Sequence, residues 1–320
     1  MKKTTRNKLV ITLVSGFLIL NLTGCTKQLK NEQGKIVKNN ETGQALTKNI
    51  LCKPTDKETL QLYEDYNKQA SEKNKINLDG LDNCQDMKLV GGKYDGIWTS
   101  LFVKPLAWVI IKIGNLLNTY GLALILTTIL IRLIAWPFTK SGAMQSENLK
   151  KAKPELDKLE KKYKDKSDQE SQIQKSQEMF AIYKKYGVKP LSGCLFQFIQ
   201  IPLFFAFYEG ISRIPAIFDE TFLGFQLGTS PLTAALQGHY YYLILIIFIV
   251  STTYYSFNLN SGAAMSADQE KQMKTMKNFM TIFMTFAAFS ISSGIAIYWV
   301  VSSLMSIAQN LWVKRGMKHD

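Results

Sequence analysis

The residue best placed to do chemistry is Arg132, inside the apolar run TTILIRLIAWPF at 127–138. A guanidinium cannot lose its charge to enter lipid, and a charge at a helix centre costs about 2.5–3.5 kcal/mol even on lenient insertion scales. Arg132 lies four residues before Trp136 and eight before Lys140, about 6–12 Å from the inner end of its run. One reading is a side chain that snorkels to the cytoplasmic headgroups. The other is a fixed cation facing a water-filled recess open to the cytoplasm. There it would attract an incoming acidic group far more strongly than in bulk water, because the local dielectric is low. A single charge binds weakly and reversibly, which suits a passing polypeptide better than a resident ligand.

Polar residues in the neighbouring apolar runs could line such a recess. Thr128 is one turn above Arg132 on the same face, and Thr139 lies just beyond. Gln197 and Gln200 stand in a second run, Ser251, Thr252, Thr253 and Ser256 in a third, and Ser302, Ser303 and Ser306 in a last one. Each alone is ordinary helix–helix glue. Together they make a polar lining around one positive charge with no counter-charge. Catalytic groups are sparse. The chain has two histidines, His239 and His319, no HExxH, no glycine-rich nucleotide loop and no paired carboxylates within the apolar runs. Glu209 falls at a run's outer end. An enzyme is excluded on these grounds, and so is a proton-driven pump, which needs buried acids or histidines.

The elements that must position Arg132 divide as follows. Residues 1–24 read as a lipoprotein signal peptide: a basic MKKTTRNK, the apolar LVITLVSGFLIL, then Leu22-Thr23-Gly24-Cys25. Cleavage before Cys25 would leave its sulfur to carry a diacylglycerol at the outer membrane face. Residues 25–97 form a polar extracellular head, with 12 Lys against 11 Asp plus Glu over 26–97 and little apolar surface to offset ordering, so much of it is expected to be flexible. A helix is expected over 59–73, with Leu62, Tyr63 and Tyr66 on one face. Cys52 and Cys84 both fall in the head, where an oxidising exterior permits a bridge; two free thiols are the alternative. Cys194, in an apolar run, is a small packing residue. Residues 98–118, interrupted by Lys104, Pro105 and Lys112, read as an amphipathic helix in the outer interface, with an additional span as the rival reading.

A five-helix core follows over 119–313, with spans expected at 119–138, 191–211, 239–257, 278–291 and 294–313. The fourth is short, about 20 Å against a hydrocarbon core of about 30 Å. Loop charge orients them. The 139–190 loop holds 13 Lys, the 210–238 loop only Arg213, and the 258–277 loop Lys271, Lys274 and Lys277. Basic loops thus alternate with poor ones, placing the head outside and the tail 314–320 in the cytoplasm. The large inner loop reads as a helical hairpin. Its stripes are Leu149, Ala152, Leu156, Leu159 and Tyr163, then Ile173, Ser176, Phe180 and Tyr183.

The order of these pieces resembles the YidC/Oxa/Alb family of membrane protein insertases, over about 98–315. The likeness is carried by YGLALILTTILIRLIAWPF, AMQSENLKKAKPELDKLEKKY, MFAIYKKYGVKPLSGCLFQFIQIPLFFAFYEGI and SSGIAIYWVVSSLMSIAQNLWVKR. A lipobox before a small head is similar to the Gram-positive branch. The resemblance implies an all-α polytopic fold, five transmembrane helices around a hydrophilic groove. It implies insertion and folding of nascent membrane proteins, alone or beside the Sec translocon, with membrane lipids and the ribosome as further partners and no nucleic-acid ligand. The groove arginine matches Arg132, the family's Gln-Met-Pro segment matches Gln200-Ile201-Pro202, and its Tyr-Trp pair matches Tyr298-Trp299, a client contact. Ser292-Ser293-Gly294 departs from the usual turn before the last span. TTYYS departs where many relatives carry Gln, which leaves the groove role of Ser256 in question. The tail is expected to lack the long basic ribosome-binding extension. No cofactor is expected beyond the covalent acyl lipid on Cys25. Two rival classes are a transporter or channel for small anions passing Arg132, and a lipid-anchored scaffold.

Overall fold

The computed structural model describes residues 26–90, 95–166, 168–260 and 267–319, apart from the side chains of 190–200, 260, 267–273 and 318–319. The signal segment and Cys25 lie outside the described residues. The chain is dominated by helices: α1 Lys57–Gln69, α2 Gly96–Leu117, α3 Tyr120–Ile134, α4 Trp136–Lys162, α5 Gln169–Lys185, α6 Pro190–Ser212, α7 Leu243–Asn260, α8 Ala267–Ser290 and α9 Ser293–His319. By length and composition, α2, α7 and α9 can each cross a membrane alone, and α3 with α4 can do so as one bent pair. Ile201–Ser212 of α6 is a shorter apolar stretch. The expected fourth span is the apolar end of the longer α8.

The chain divides into two compact units. The first holds the residues up to Thr127, Phe204–Thr233 and Ser292–Ile295. Its polar head is more ordered than composition suggests. Leu29, Leu46, Ile50, Tyr63, Ile76 and Leu78 form a buried cluster, Cys52 and Cys84 are disulfide-bonded, and four isolated bridges tie the connecting segments. Asp56 caps α1 by accepting from the Thr59 amide at 2.7 Å, and buried Tyr63 donates to the Thr47 carbonyl at 2.7 Å.

Helix α2 is 22 residues long, about 33 Å. It contains a π turn at Thr99–Val103 just before Pro105, and it ends at Asn118 in the left-handed region (φ 53°). Both of its ends are tied to the head. Near its start, buried Arg213 donates to Thr99 Oγ1 at 3.2 Å, to Asp95 at 2.5 Å and to the Asn49 carbonyl at 2.6 Å. Near its end, Asn115 donates to the Gln85 carbonyl at 2.9 Å. Glu209 lies 3.7 Å from the same Arg213 and accepts from the Trp98 indole at 3.2 Å.

Distant residues also satisfy helix starts in this unit. The Glu220 carboxylate accepts from Thr119 Oγ1 and the Tyr120 amide, each at 2.5 Å, and from the Gly121 amide at 3.1 Å. A negative charge thus sits where the α3 dipole is positive. A short hairpin, Thr221–Phe222 with Phe225–Gln226, turns at Leu223 and Gly224, both with positive φ. It packs Phe222 on Gly121, where a Cβ would lie 2.0 Å from the ring. The first amides of α9, Ser293 and Gly294, donate to the carbonyls of Thr229 and Leu227 at 2.9 and 2.8 Å.

The second unit holds Thr128–Leu203, Ala234–Ile291 and Ala296–Asp320. Here α4 and α5 pack through Ala152, Leu156, Tyr183 and Val188, flanked by Leu149, Met179, Ile182 and Tyr186. The α4 stripe matches the sequence pattern. The α5 stripe does not: Ile173 and Phe180 are exposed, and only Tyr183 of the expected set is buried. A 3-4-3 spacing is shared by more than one face of a helix, and the partner's shape selects Met179, Ile182 and Tyr186 instead. Lys162–Glu178 and Lys185–Glu155 pairs, at 2.6 and 2.5 Å, flank the seam. These pairs are exposed and add little stability. Pro154 sits inside α4 without ending it.

Replacing both Cys52 and Cys84 with Ser should cost the head about 3–4 kcal/mol, from the loop entropy returned to its unfolded chain. Faster cleavage of the head by added protease, with α3–α9 unaffected, is the expected readout. A second expectation concerns pH. Asp219 reaches solvent, but its carboxyl sits at the mouth of a cavity lined by Thr59, Tyr63 and Phe218. Loss of water there, with Asp56 and Glu58 nearby, pushes its pKa up to about 7. A carboxyl raised in the folded state makes folding take up a proton between its unfolded and folded pKa, so stability falls between about pH 4 and 7 and then levels. Thermal melts across that range should show the fall, and Asp219→Asn should flatten it.

Candidate functional site

The bend that follows Arg132 sets the geometry of the site. Helix α3 stops at Ile134 and α4 departs at 68°, so the expected straight span 119–138 is broken at Ala135. Pro137 has no N–H to continue the ladder, and the chain turns where Leu133 would need one. Helix ends leave carbonyls without intrahelical partners. The Arg132 carbonyl accepts from Gln309 Nε2 of α9 at 3.2 Å. Trp136, at the bend, stacks on Trp312 of α9 with ring centroids 5.3 Å apart.

The guanidinium turns to the same helix. Arg132 Nε donates to Ser302 Oγ at 3.0 Å, and Nη2 donates to the same oxygen. Arg132 is only 4% exposed and Ser302 also 4%, so the expected water-bathed cation is a buried one here. Among the described residues no carboxylate lies within ion-pairing distance of it. Tyr298, Ser302 and Gln309 follow four- and seven-residue spacings and so share one face of α9. Thr128, one turn before Arg132, is also buried.

Helix α9 also meets α7, through Trp299 beside that face and Ser306 on it. Trp299 donates its indole N–H to Thr253 Oγ1 at 2.7 Å, and Ser256 and Ser306 hydroxyls lie 3.4 Å apart. The structure therefore brings Arg132, Thr128, Tyr298 and Ser302 into one buried polar layer and places Trp299 and Ser256 on an adjoining seam. Gln197, Gln200 and Cys194 are on α6, but their side chains lie outside the described set. Cys52 and Cys84 belong to the head and not to this layer. Sequence reasoning overlooked Gln309, although its seven-residue spacing from Ser302 was a usable signal. It also read Arg213 only as a loop charge.

Chemically, this arrangement offers one permanent cation, hydroxyl and amide side chains of α9 around it and, among the described residues, no acid–base pair. The profile of the 60Kd inner membrane protein family matches residues 112–320. The chain belongs to this family. It is 33% identical over 225 residues to a membrane protein insertase YidC from Oceanobacillus iheyensis, covering 70% of this chain and 86% of that one. It is 36% identical over 229 residues to membrane protein insertase YidC 2 of Bacillus anthracis, covering 69% and 83%. A solved structure of an active YidC insertase, with its first transmembrane domain resolved, aligns at TM-score 0.48 and 23% identity over 67% of this chain. That alignment spans under half, 46%, of the longer solved chain.

In this member of the 60Kd inner membrane protein family, Gln309→Leu would leave the Arg132 carbonyl without its side-chain donor. The expected cost is about 1 kcal/mol, read as a lowered thermal midpoint of the detergent-solubilised protein.

Proposed function

We propose that this chain, a non-enzymatic membrane protein insertase of a multi-pass membrane family, receives its clients at Arg132. The observation that carries the proposal is a buried guanidinium whose side-chain acceptor is a neutral hydroxyl, with no carboxylate at ion-pairing distance among the described residues. Burying a charge without a partner is costly, so the position favours an incoming acid. A client's outer tail, carrying an acidic residue, pairs briefly with Arg132 while its apolar segment enters lipid and supplies the driving force. Thr128, Tyr298 and Ser302 are the near contacts; Trp299 and Ser256 extend the polar lining of a groove that opens when a client enters. No nucleotide is needed.

The membrane arrangement we propose has five spans, α3, α6, α7, the apolar end of α8, and α9. The head, the 213–233 loop and the Ser292–Ile295 turn belong to one compact unit, which supports an outer location for all three. The ties from both ends of α2 to the head support an interfacial helix rather than a sixth span, because a crossing helix of about 33 Å would carry one end away from a small outer domain. The α4–α5 hairpin and the basic tail are then cytoplasmic, and Cys25 carries a diacylglycerol outside. Nascent membrane proteins are the clients; the Sec translocon, the ribosome and membrane lipids are the proposed partners.

Depleting the protein and complementing with variants tests the site. Arg132→Lys should restore integration of a small single-span client better than Arg132→Ala, and Arg132→Glu should restore least. Equal restoration by all three would overturn the role of the charge.

A further inference from the structure

We infer that Ser302 is a positioning residue for client capture: its hydroxyl holds the Arg132 guanidinium in the place where a client carboxylate will bind, and yields to it. This rests on reading Arg132 as the client site. The Nε–Nη2 edge of Arg132 converges on one oxygen, Ser302 Oγ, with Nε at 3.0 Å. That edge is one of those through which a guanidinium grips a carboxylate with two parallel hydrogen bonds. A hydroxyl accepts from this edge without cancelling the charge, so the attraction for an acid is retained while Nε and Nη2 each have an acceptor. Both partners are 4% exposed, and water competes little for the edge. Meanwhile Gln309, two turns further along the same face, holds the Arg132 carbonyl at 3.2 Å. The backbone of residue 132 is therefore fixed to α9, and the guanidinium is the part free to exchange acceptors.

A neutral acceptor gives way to a charged one because charge-assisted hydrogen bonds are the stronger kind. Serine at 302 thus presents the cation without occupying it, whereas an acid there would occupy it permanently. A hydrophobic residue would leave the buried donors unpaired and the guanidinium free to turn away.

The test compares two single-span clients that differ only in one outer-tail residue, Asp or Asn, in depleted cells carrying Ser302→Ala, Ser302→Asp, Ser302→Thr or Arg132→Ala. Protein levels in the membrane are measured in parallel. Ser302→Asp should lower integration of the Asp-tail client on the order of tenfold, the scale of one lost charge-assisted bond, and spare the Asn-tail client. Ser302→Ala should lower the Asp-tail client by a smaller factor, and Ser302→Thr should restore it. If Ser302→Asp fails to accumulate, Ser302→Ala against Ser302→Thr carries the comparison. Equal losses for both clients would mean a merely structural serine and overturn the inference. Wild-type behaviour of the Ser302 variants, with Arg132→Ala defective, would overturn it while leaving the client site standing. Full activity of Arg132→Ala would remove the site itself.

Discussion

A cation kept out of water without an opposing charge is the constraint around which the second unit is built. Such a group destabilises a fold unless its donors are met. Here α9 serves residue 132 from one face: Ser302 accepts from Nε and Nη2 of the guanidinium, and Gln309 donates to the backbone carbonyl. The bend at Ala135 belongs to the same solution. By stopping α3 two residues past Arg132, it exposes a carbonyl that α9 can bind, and it lets Trp136 stack on Trp312. A straight helix would have spent that carbonyl internally.

The first unit solves a different problem, how to satisfy the backbone groups at helix ends. Buried backbone groups left unpaired are expensive. Glu220 closes the start of α3, the 227–229 segment closes the start of α9, and the Ser212 carbonyl at the end of α6 accepts from Thr47 at 2.9 Å. Arg213 joins head, α2 and α6 through four contacts. Its charge is neutralised by Asp95 and Glu209, in contrast to Arg132. Two buried arginines thus differ: Arg213 is paired with acids, whereas Arg132, the proposed client site, meets a neutral hydroxyl and, among the described residues, no carboxylate at ion-pairing distance.

How far the sequence reveals this differs from residue to residue. Arg132 was legible because a charge inside an apolar run needs an explanation, and Ser302 because hydroxyls recurred in the last run. Gln309 was obscured by its nearness to the basic tail, where a polar residue looks unexceptional. The break at Ala135 was hidden because Trp136-Pro137 also reads as a span's natural end. The head's core escaped notice since Leu29, Leu46, Ile50 and Ile76 have no regular period; bridges and a disulfide, not a helix, assemble them. Glu220 lies 100 residues from the amide it caps, beyond the reach of any local pattern. In α5 the spacing was right and the phase wrong, as the exposure of Phe180 shows.

The stacked indoles at the bend have one more consequence. Rings 5.3 Å apart and inclined by 17° share their electronic excitations, while Trp98 and Trp108 lie on α2 and Trp299 lies 13 residues before Trp312 on α9. The junction of α3, α4 and α9 is thereby supplied with its own chromophore, and any motion that separates α9 from the bend is written into the near-ultraviolet optical activity of the protein without a label.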